Sequence, residues 1–226
     1  MKTLVIGDIH SCYTELMELL SMSGLAEDDR IVALGDIVDR GPDSPAVLDF
    51  FRTHPNALSL MGNHERKHIG SFHGEVNPSR SQIMTRLQFT EQTYSDAVAL
   101  MTGFPLFMEF PEAILVHASL EPGIPLEKQC ESVLIGSMSG EHHMKRNYDH
   151  EWYELYDGDK PVIAGHKDYS GKGEPIIFKD KVFLIDTGCC YGFSLTGLIL
   201  PDYSIISVKS QKNYWALAMQ SRRKKF

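Results

Sequence analysis

The sequence lacks most features that mark specialised classes of protein. It has only four cysteines, and none forms a Cys-x-x-Cys pair, so a zinc–thiolate site is not expected. No apolar run approaches the roughly 20 residues that span a bilayer. The N-terminal segment turns acidic at Asp8, too early for a secretory signal. These absences predict a cytoplasmic protein that does not span a membrane.

The composition is that of a globular protein. Apolar residues make up 42% and charged residues 23% of the 226 residues, which excludes disordered and collagen-like chains. The net charge of -8 argues against a nucleic-acid duplex as partner, because phosphate contacts need clustered cations. We expect a single domain over residues 1–226, with a core over about residues 1–209 and a solvated basic tail at residues 221–226.

Three apolar runs in the first third of the chain each lead into a polar cluster; they are residues 4–6, 31–34 and 57–61. We expect Ser11 or Thr14 to cap the first helix, Gly24 to end it, and residues 42–45 to start the second. The repeated order of strand, polar loop and helix predicts largely parallel strands and an α/β fold. Because ligands bind beyond the carboxyl ends of such strands, the polar clusters should converge on one site.

The later chain continues this pattern less regularly. An edge strand is predicted at residues 104–110, and strands at 113–116 and 161–164 lead into His117 and His166. Antiparallel hairpins are predicted over residues 175–209, with Asp186-Thr187-Gly188 again following an apolar strand.

One or two helices are predicted over residues 79–102, with a set of apolar anchors: Ile83, Leu87, Tyr94, Val98 and Met101. Residues 71–78 read as a loop. His68 and His73 are expected to be exposed loop residues, because no strand or spacing places them, and the adjacent His142 and His143 are expected to face solvent. Cys189 and Cys190 could form a vicinal disulfide, although two small buried residues fit the pattern better.

The segment from Gly35 to Gly41 contains Asp36, Asp39 and Arg40 directly after a predicted buried strand. Alone, it could be a salt-bridged turn. The other strand ends add oxygen and imidazole donors without cysteine, a set that suits manganese, iron or zinc. The candidate metal ligands are Asp8, His10, Asp36, Asn63, His117 and His166. Two ions about 4 Å apart, bridged by Asp36, could bind a phosphoryl group and activate a water molecule.

Three further residues have side chains that suit phosphate chemistry. Arg40 offers a planar fork to phosphate oxygens. His64 follows a candidate ligand by one residue and could protonate a leaving group. Asp39 could accept a hydrogen bond from that imidazole and stabilise its protonated form.

The motifs Gly7-Asp8-Ile9-His10, residues 35–41 and Gly62-Asn63-His64-Glu65, with the later His117 and Gly165-His166, resemble those of a known enzyme family. This is the phosphoprotein phosphatase family of calcineurin-like metallophosphoesterases, in its compact bacterial and phage form. The resemblance implies a four-layer αββα sandwich and two divalent metal ions, with manganese common in bacterial members and iron or zinc as alternatives. It places Asp8, His10 and Asp36 on one ion, and Asp36, Asn63, His117 and His166 on the other. It also makes His64 the general acid paired with Asp39, and Arg40 a phosphate ligand.

The sequence departs from the family pattern in places that concern the substrate. Ser11 and Ser119 stand where glycine is usual, and Lys167 replaces threonine. A second phosphate-binding arginine has no clear counterpart, and Arg146 is the only arginine between His117 and His166. The first hypothesis is a phosphomonoesterase or serine/threonine protein phosphatase acting on a phosphorylated protein or small phosphate ester. The alternatives are a diadenosine tetraphosphatase or other phosphodiesterase, and an inactive phosphate-binding scaffold.

Overall fold

The structure is a computed structural model that describes the backbone of residues 1–223 and the side chains of residues 1–220. The side chains of the predicted basic tail, residues 221–226, therefore lie outside the described part. Within the described chain the strands are β1 Thr3–Ile6, β2 Arg30–Ala33, β3 Ala57–Ser59, β4 Phe107–Glu109, β5 Ile114–Val116, β6 Val162–Ala164, β7 Ile176–Phe178, β8 Val182–Leu184, β9 Ser194–Leu200 and β10 Ser204–Lys209. The helices are α1 Tyr13–Met22, α2 Ser44–Thr53, α3 Asn63–Phe72, α4 Arg80–Arg86, α5 Glu91–Thr102, α6 Glu131–Leu134, α7 Met138–Asn147, α8 Trp152–Leu155 and α9 Tyr214–Arg223. Single 3-10 turns lie at Leu126–Lys128 and Cys189–Tyr191.

The strands form two five-stranded sheets, in the orders β10-β9-β1-β2-β3 and β4-β5-β6-β8-β7. β1, β2 and β3 are parallel, as predicted for the first third of the chain. The hairpins β7–β8 and β9–β10 are antiparallel, also as predicted. However, β8 pairs in parallel with β6, whereas β9 joins β1 in the other sheet. The two hairpins thus belong to different sheets. Local periodicity in the sequence cannot predict this, because it depends on pairing with strands that are distant in the chain.

Strand β1 shows how the layers are held together. All its residues are buried; Leu4 and Ile6 belong to the cluster packed under α1 and α2, whereas Val5 lies in the cluster between the two sheets. Successive side chains of a strand point to opposite faces, so a strand that is apolar throughout must be covered on both sides. A third cluster, including Trp152 and Leu184, covers the outer face of the second sheet. The result is the predicted four-layer αββα sandwich.

Two predictions about helix starts had different outcomes. Asp43 caps α2 by accepting from the backbone N–H of Ala46, as the turn at residues 42–45 suggested. For α1 the prediction was wrong, because the helix starts after Cys12 without a side-chain cap. Ser11 instead shares a hydrogen bond with Ser44, at 2.6 Å between hydroxyls. The Ser11 hydroxyl is therefore bound to a residue of α2 and does not cap α1.

The region of α3 to α5 corrects several assignments. Helix α3 continues to Phe72, and His68 is completely buried on it rather than exposed in a loop; His73 is exposed as expected. Two helices cover the predicted helical region, but Ile83 and Leu87 are exposed and are not anchors. The buried side of α4 is polar instead, formed by Ser81, Gln82 and Thr85. That face points at buried polar groups, so apolar periodicity identified the wrong side.

Near the end of the described chain, Tyr214 on α9 packs against the first core cluster, and its hydroxyl donates to Glu15 at 2.9 Å. His142 is exposed and His143 is half-exposed, with Nε2 2.7 Å from a carboxylate oxygen of Glu121. No helix in the described part of the chain is long and apolar enough to cross a membrane.

The cysteines give a direct test of this packing. Cys12, Cys189 and Cys190 are buried free thiols, whereas Cys130 is exposed. Burial also raises the pKa of Cys190, which lowers its reactivity further. We expect a chromogenic thiol reagent to label one thiol of the native protein rapidly and four after denaturation. The Cys130→Ser variant should lose the rapid phase. Only two reactive thiols in denaturant without reductant would show one disulfide and contradict the buried free thiols.

Candidate metal and phosphate site

The predicted metal ligands converge at the carboxyl ends of strands from both sheets. Asp8 and His10 follow β1, Asp36 follows β2, and Asn63 begins α3 after β3. His117 and His166 follow β5 and β6 of the second sheet. His166 is half-buried and the others are buried. The six residues that the sequence singled out therefore share one site.

Asp36 lies between two groups of donors. Its Oδ2 is 3.7 Å from His10 Nε2, which is 3.9 Å from Asp8 Oδ2. Its Oδ1 is 3.5 Å from His117 Nε2. One carboxylate thus faces a donor group from β1 with one oxygen and a donor from β5 with the other.

The second group is completed by Asn63. One end of its side-chain amide lies 3.3 Å from His117 Nε2 and 3.2 Å from His166 Nδ1. His117 Nδ1 donates to the backbone oxygen of Leu34 at 2.9 Å, which leaves Nε2 free to bind an ion. Burial lowers the pKa of His117 to about 4, so its imidazole is neutral at pH 7, the form that binds metals.

The charges of the site fit a bound cation. Burial and then the charges of Asp186 and Asp36 raise the pKa of Asp8 well above its usual range. Asp8 Oδ2 is buried and has no hydrogen-bond partner among the described residues. Asp8, Asp36 and Asp186 together carry more negative charge than the nearby Arg40 offsets, and divalent cations would offset the remainder.

Asp186 is a member of this group that sequence reasoning missed. It follows β8 after the buried Ile185, and burial raises its pKa to about 6. The available signal was its place after an apolar strand, the same signal that identified the other residues. It was not assigned because only the pairing of β8 with β6 brings this strand end to the site.

The backbone at the site is held in uncommon conformations. Five of the predicted site residues have positive φ angles, namely His10, Asp36, Asp39, Arg40 and His166. Such conformations cost about 1–3 kcal/mol each and persist only where surrounding contacts enforce them. Gly35 has φ +105, and a Cβ there would lie 2.9 Å from His117 Nδ1, so glycine is required for the close approach of this loop.

Glu65 makes several of the contacts that hold these loops in their uncommon conformations, a role the sequence did not reveal. Its carboxylate is buried and accepts from the backbone N–H groups of Asp36, Ile37 and Gly62 at 2.8–3.0 Å. It therefore ties the loop after β2 to the loop after β3. In sequence Glu65 looks like a residue of the first helical turn, but its partners Asp36 and Ile37 lie 29 and 28 positions away.

His64 is held by a buried chain of hydrogen bonds. Its Nδ1 donates to Asp39 Oδ2 at 2.5 Å, while His68 Nε2 donates to Asp39 Oδ1 at 2.9 Å. The Tyr94 hydroxyl in turn donates to His68 Nδ1, also at 2.9 Å. Burial alone would raise the pKa of Asp39, but the hydrogen bonds from His64 and His68 hold it well below its usual value. His64 Nε2 faces the metal ligands, 3.9 Å from Asp36 Oδ2.

Cations surround the opening of the site. Arg40 donates to His10 Nε2 at 2.6 Å, and its guanidinium lies over the Tyr191 ring at 5.5 Å. Lys67 and Lys167 line the same cavity of about 340 Å³ as Arg40. Arg146 is exposed on α7 and does not line this cavity. The cations beside Arg40 are thus lysines, one of them the residue that departs from the family pattern.

Glu141 and Gly136, which lie between β5 and β6 in the chain, position His166. Its Nε2 is 3.2 Å from Glu141 Oε1, which leaves Nδ1 directed at Asn63. Such a carboxylate partner fixes the orientation of a metal-binding imidazole. Gly136 has φ +63, and a Cβ there would lie 2.6 Å from the His166 ring. Neither residue carried a motif in the sequence.

Comparison with known proteins agrees with this geometry. The family model described as calcineurin-like phosphoesterase matches residues 1–205. A Halalkalibacterium halodurans protein named bis(5'-nucleosyl)-tetraphosphatase PrpE, asymmetrical, is 30% identical, with 92% of this chain and 94% of that protein covered. A Proteus mirabilis protein named bis(5'-nucleosyl)-tetraphosphatase, symmetrical, is 26% identical, with 89% and 95% covered.

Solved structures show the same fold. A crystal structure of a candidate diadenosine tetraphosphatase superposes with a TM-score of 0.79 and 24% identity, covering 93% of this chain and 94% of the other. A protein serine/threonine phosphatase from Saccharomyces cerevisiae gives a TM-score of 0.62 and 14% identity, covering 94% and 80%. At these identities the likeness establishes the fold alone.

The position of Asp36 between the two donor groups gives a sharp prediction. We expect Asp36→Asn to lose both metal ions, because one of the two anionic oxygens becomes a nitrogen that cannot bind a cation. Equilibrium dialysis against Mn²⁺ followed by elemental analysis measures the stoichiometry. Asp49→Asn, an exposed aspartate on α2, is the matched control and should bind as the parent does. Full stoichiometry in Asp36→Asn would contradict a bridging role.

Proposed function

The chain belongs to the calcineurin-like phosphoesterase family and is a phosphoric ester hydrolase, and we propose that it hydrolyses dinucleoside tetraphosphates at a centre of two divalent metal ions. The catalytic proposal rests on one observation: Asp36 lies between two groups of side chains that can bind metal ions. Every proposed ligand position holds a competent side chain, which argues against an inactive phosphate-binding scaffold.

The choice of substrate is supported by the relatives. Proteins that match this chain over about nine-tenths of both lengths are named bis(5'-nucleosyl)-tetraphosphatases. These names favour the diadenosine tetraphosphatase alternative over the serine/threonine phosphatase that sequence analysis placed first. A phosphomonoesterase acting on phosphorylated proteins stays the second candidate, since the same centre suits both substrates.

In this proposal Asp8, His10 and Asp36 hold one ion, and Asp36, Asn63, His117 and His166 hold the other. Manganese fits a donor set of carboxylate, amide and imidazole groups without thiolates, with iron or zinc as alternatives. The ions, when bound, supply Lewis-acid stabilisation of phosphate and an acidified water. His10 Nε2 cannot accept from Arg40 and also bind an ion, so in the loaded site the guanidinium is free for a phosphate oxygen.

His64 is proposed as the proton donor to the leaving group. Its Nδ1 is committed to Asp39, so Nε2 is the atom that can deliver a proton toward the site. Asp39 stabilises the protonated imidazole, and His68 and Ser81 hold Asp39 in place through its two oxygens. His68 and Tyr94 are positioning residues in this scheme, because they act only through Asp39.

A panel of substrates tests the proposed function. We expect the metal-stripped protein, reloaded with Mn²⁺, to hydrolyse diadenosine tetraphosphate with a higher kcat/KM than p-nitrophenyl phosphate, its bis-ester or a phosphoserine peptide. Nucleotide products are identified by chromatography, and the protein without metal is the control. A higher kcat/KM for the phosphopeptide would favour the protein phosphatase instead, and no hydrolysis of any substrate would contradict both.

The role of His64 is tested by leaving-group dependence. We expect His64→Ala to lower kcat about 10²–10⁴-fold for phenyl phosphate, whose leaving group needs a proton, and much less for p-nitrophenyl phosphate. Metal content should be unchanged, because His64 is not a proposed ligand. His73→Ala, an exposed histidine just after the same helix, is the matched control. An equal loss on both esters would contradict the general-acid role.

A further inference from the structure

A second cavity, here called the side cavity, adjoins the metal site. It has a volume of about 530 Å³ and lies between α7, α8 and the loop after β6. Gly136, Glu141, His166 and Lys167 line both the side cavity and the cavity over the metal ligands. The two cavities therefore adjoin at these four residues, next to the candidate metal ligand His166.

Three aromatic residues, Tyr148, Trp152 and Tyr169, line the side cavity. Trp152 is buried, and its Nε1–H donates to the hydroxyl of Tyr169 at 3.2 Å. Lys167 lies over the Tyr169 ring at 4.9 Å. Tyr148, the residue that ends α7, also lines the cavity and is half-exposed, so its ring is accessible to a ligand. Aromatic side chains of this kind bind the faces of flat rings.

The charges of the side cavity are unevenly distributed. Lys167 and Glu141 line both cavities and Lys145 lines the side cavity, so two lysines and a carboxylate paired with His166 border the path away from the metal ligands. Asp149, Glu151 and Glu154 line the side cavity alone and are exposed. A ligand with phosphates at one end and hydrogen-bond donors at the other matches this distribution. Ribose hydroxyls and the exocyclic amine of a purine are donors of that kind.

We propose that the side cavity binds a nucleoside of the substrate, with its base stacked on Tyr148 and its phosphates passing Lys167 toward the metal site. This assignment rests on the proposed function, and it adds the residues that would select a nucleotide over a simple phosphate ester. The volume lies within the range of about 300–1,000 Å³ that accommodates such ligands. A peptide with basic residues beside its phosphate is the competing occupant, because the acidic rim would attract it.

Kinetics on two substrates test the assignment. We expect Tyr148→Ala and Lys145→Ala each to lower the ratio of kcat/KM for diadenosine tetraphosphate to that for p-nitrophenyl phosphate, Tyr148→Ala by about tenfold or more. Tyr148→Phe should restore the parent ratio, because it keeps the ring. Lys128→Ala, an exposed lysine outside the cavity, is the matched control. An unchanged ratio in Tyr148→Ala would overturn the proposal, as would a loss confined to a basic phosphopeptide.

A binding measurement separates this assignment from the catalytic proposal. The protein has two tryptophans, so Trp215→Phe leaves Trp152 as the fluorescent reporter inside the side cavity. We expect adenosine diphosphate to change Trp152 emission, pyrophosphate to change it little, and Tyr148→Ala to abolish the response. A fluorescence response without hydrolysis of diadenosine tetraphosphate would support nucleoside binding in the side cavity and contradict the proposed function. Hydrolysis with identical fluorescence responses to the two ligands would support the function and contradict nucleoside binding in the side cavity.

Discussion

The negative charge of three buried carboxylates, which Arg40 offsets only in part, is the constraint on which the rest of the structure depends. Asp8, Asp36 and Asp186 reach one region from three strands of two sheets. Burial there raises the pKa of Asp8 and Asp186. A fold that places them there needs cations to offset them. Neutral imidazoles from both sheets complete the donor set without adding charge. The sandwich itself provides this geometry, because the carboxyl ends of its parallel strands meet at one edge.

The loops that carry these groups are strained, and the strain is balanced by hydrogen bonds rather than by apolar packing. Glu65 accepts from backbone groups of two loops, and Asp39 accepts from His64, His68 and Ser81. Both carboxylates are completely buried. This explains why α3 and α4 carry polar residues on their inner faces. Hydrogen bonds from both helices reach Asp39, which holds His64, the proposed proton donor.

Much of the fold and site was predictable because its signals are local. Runs such as residues 4–6 and 31–34 are apolar throughout, so they had to be strands covered on both faces. Polar residues directly after them had to meet at the carboxyl edge, which identified Asp8, His10 and Asp36. By contrast, His68, Glu65 and Asp186 owe their roles to partners far away in sequence. For His68 the local pattern even indicated exposure, since a buried polar face leaves no apolar period to read.

The sequence by itself determined the donor set, the alternation of strands and helices, and hence the class of chemistry. Only the tertiary structure decided which residues surround the candidate metal ligands. The pairing of β8 with β6 places Asp186 at the site. The fold of residues 131–155 places Gly136 and Glu141 beside His166 and forms much of the wall of the side cavity. The physical reason is that strand ends are set by short apolar runs, whereas substrate-facing walls form from short helices whose packing partners are distant in the chain.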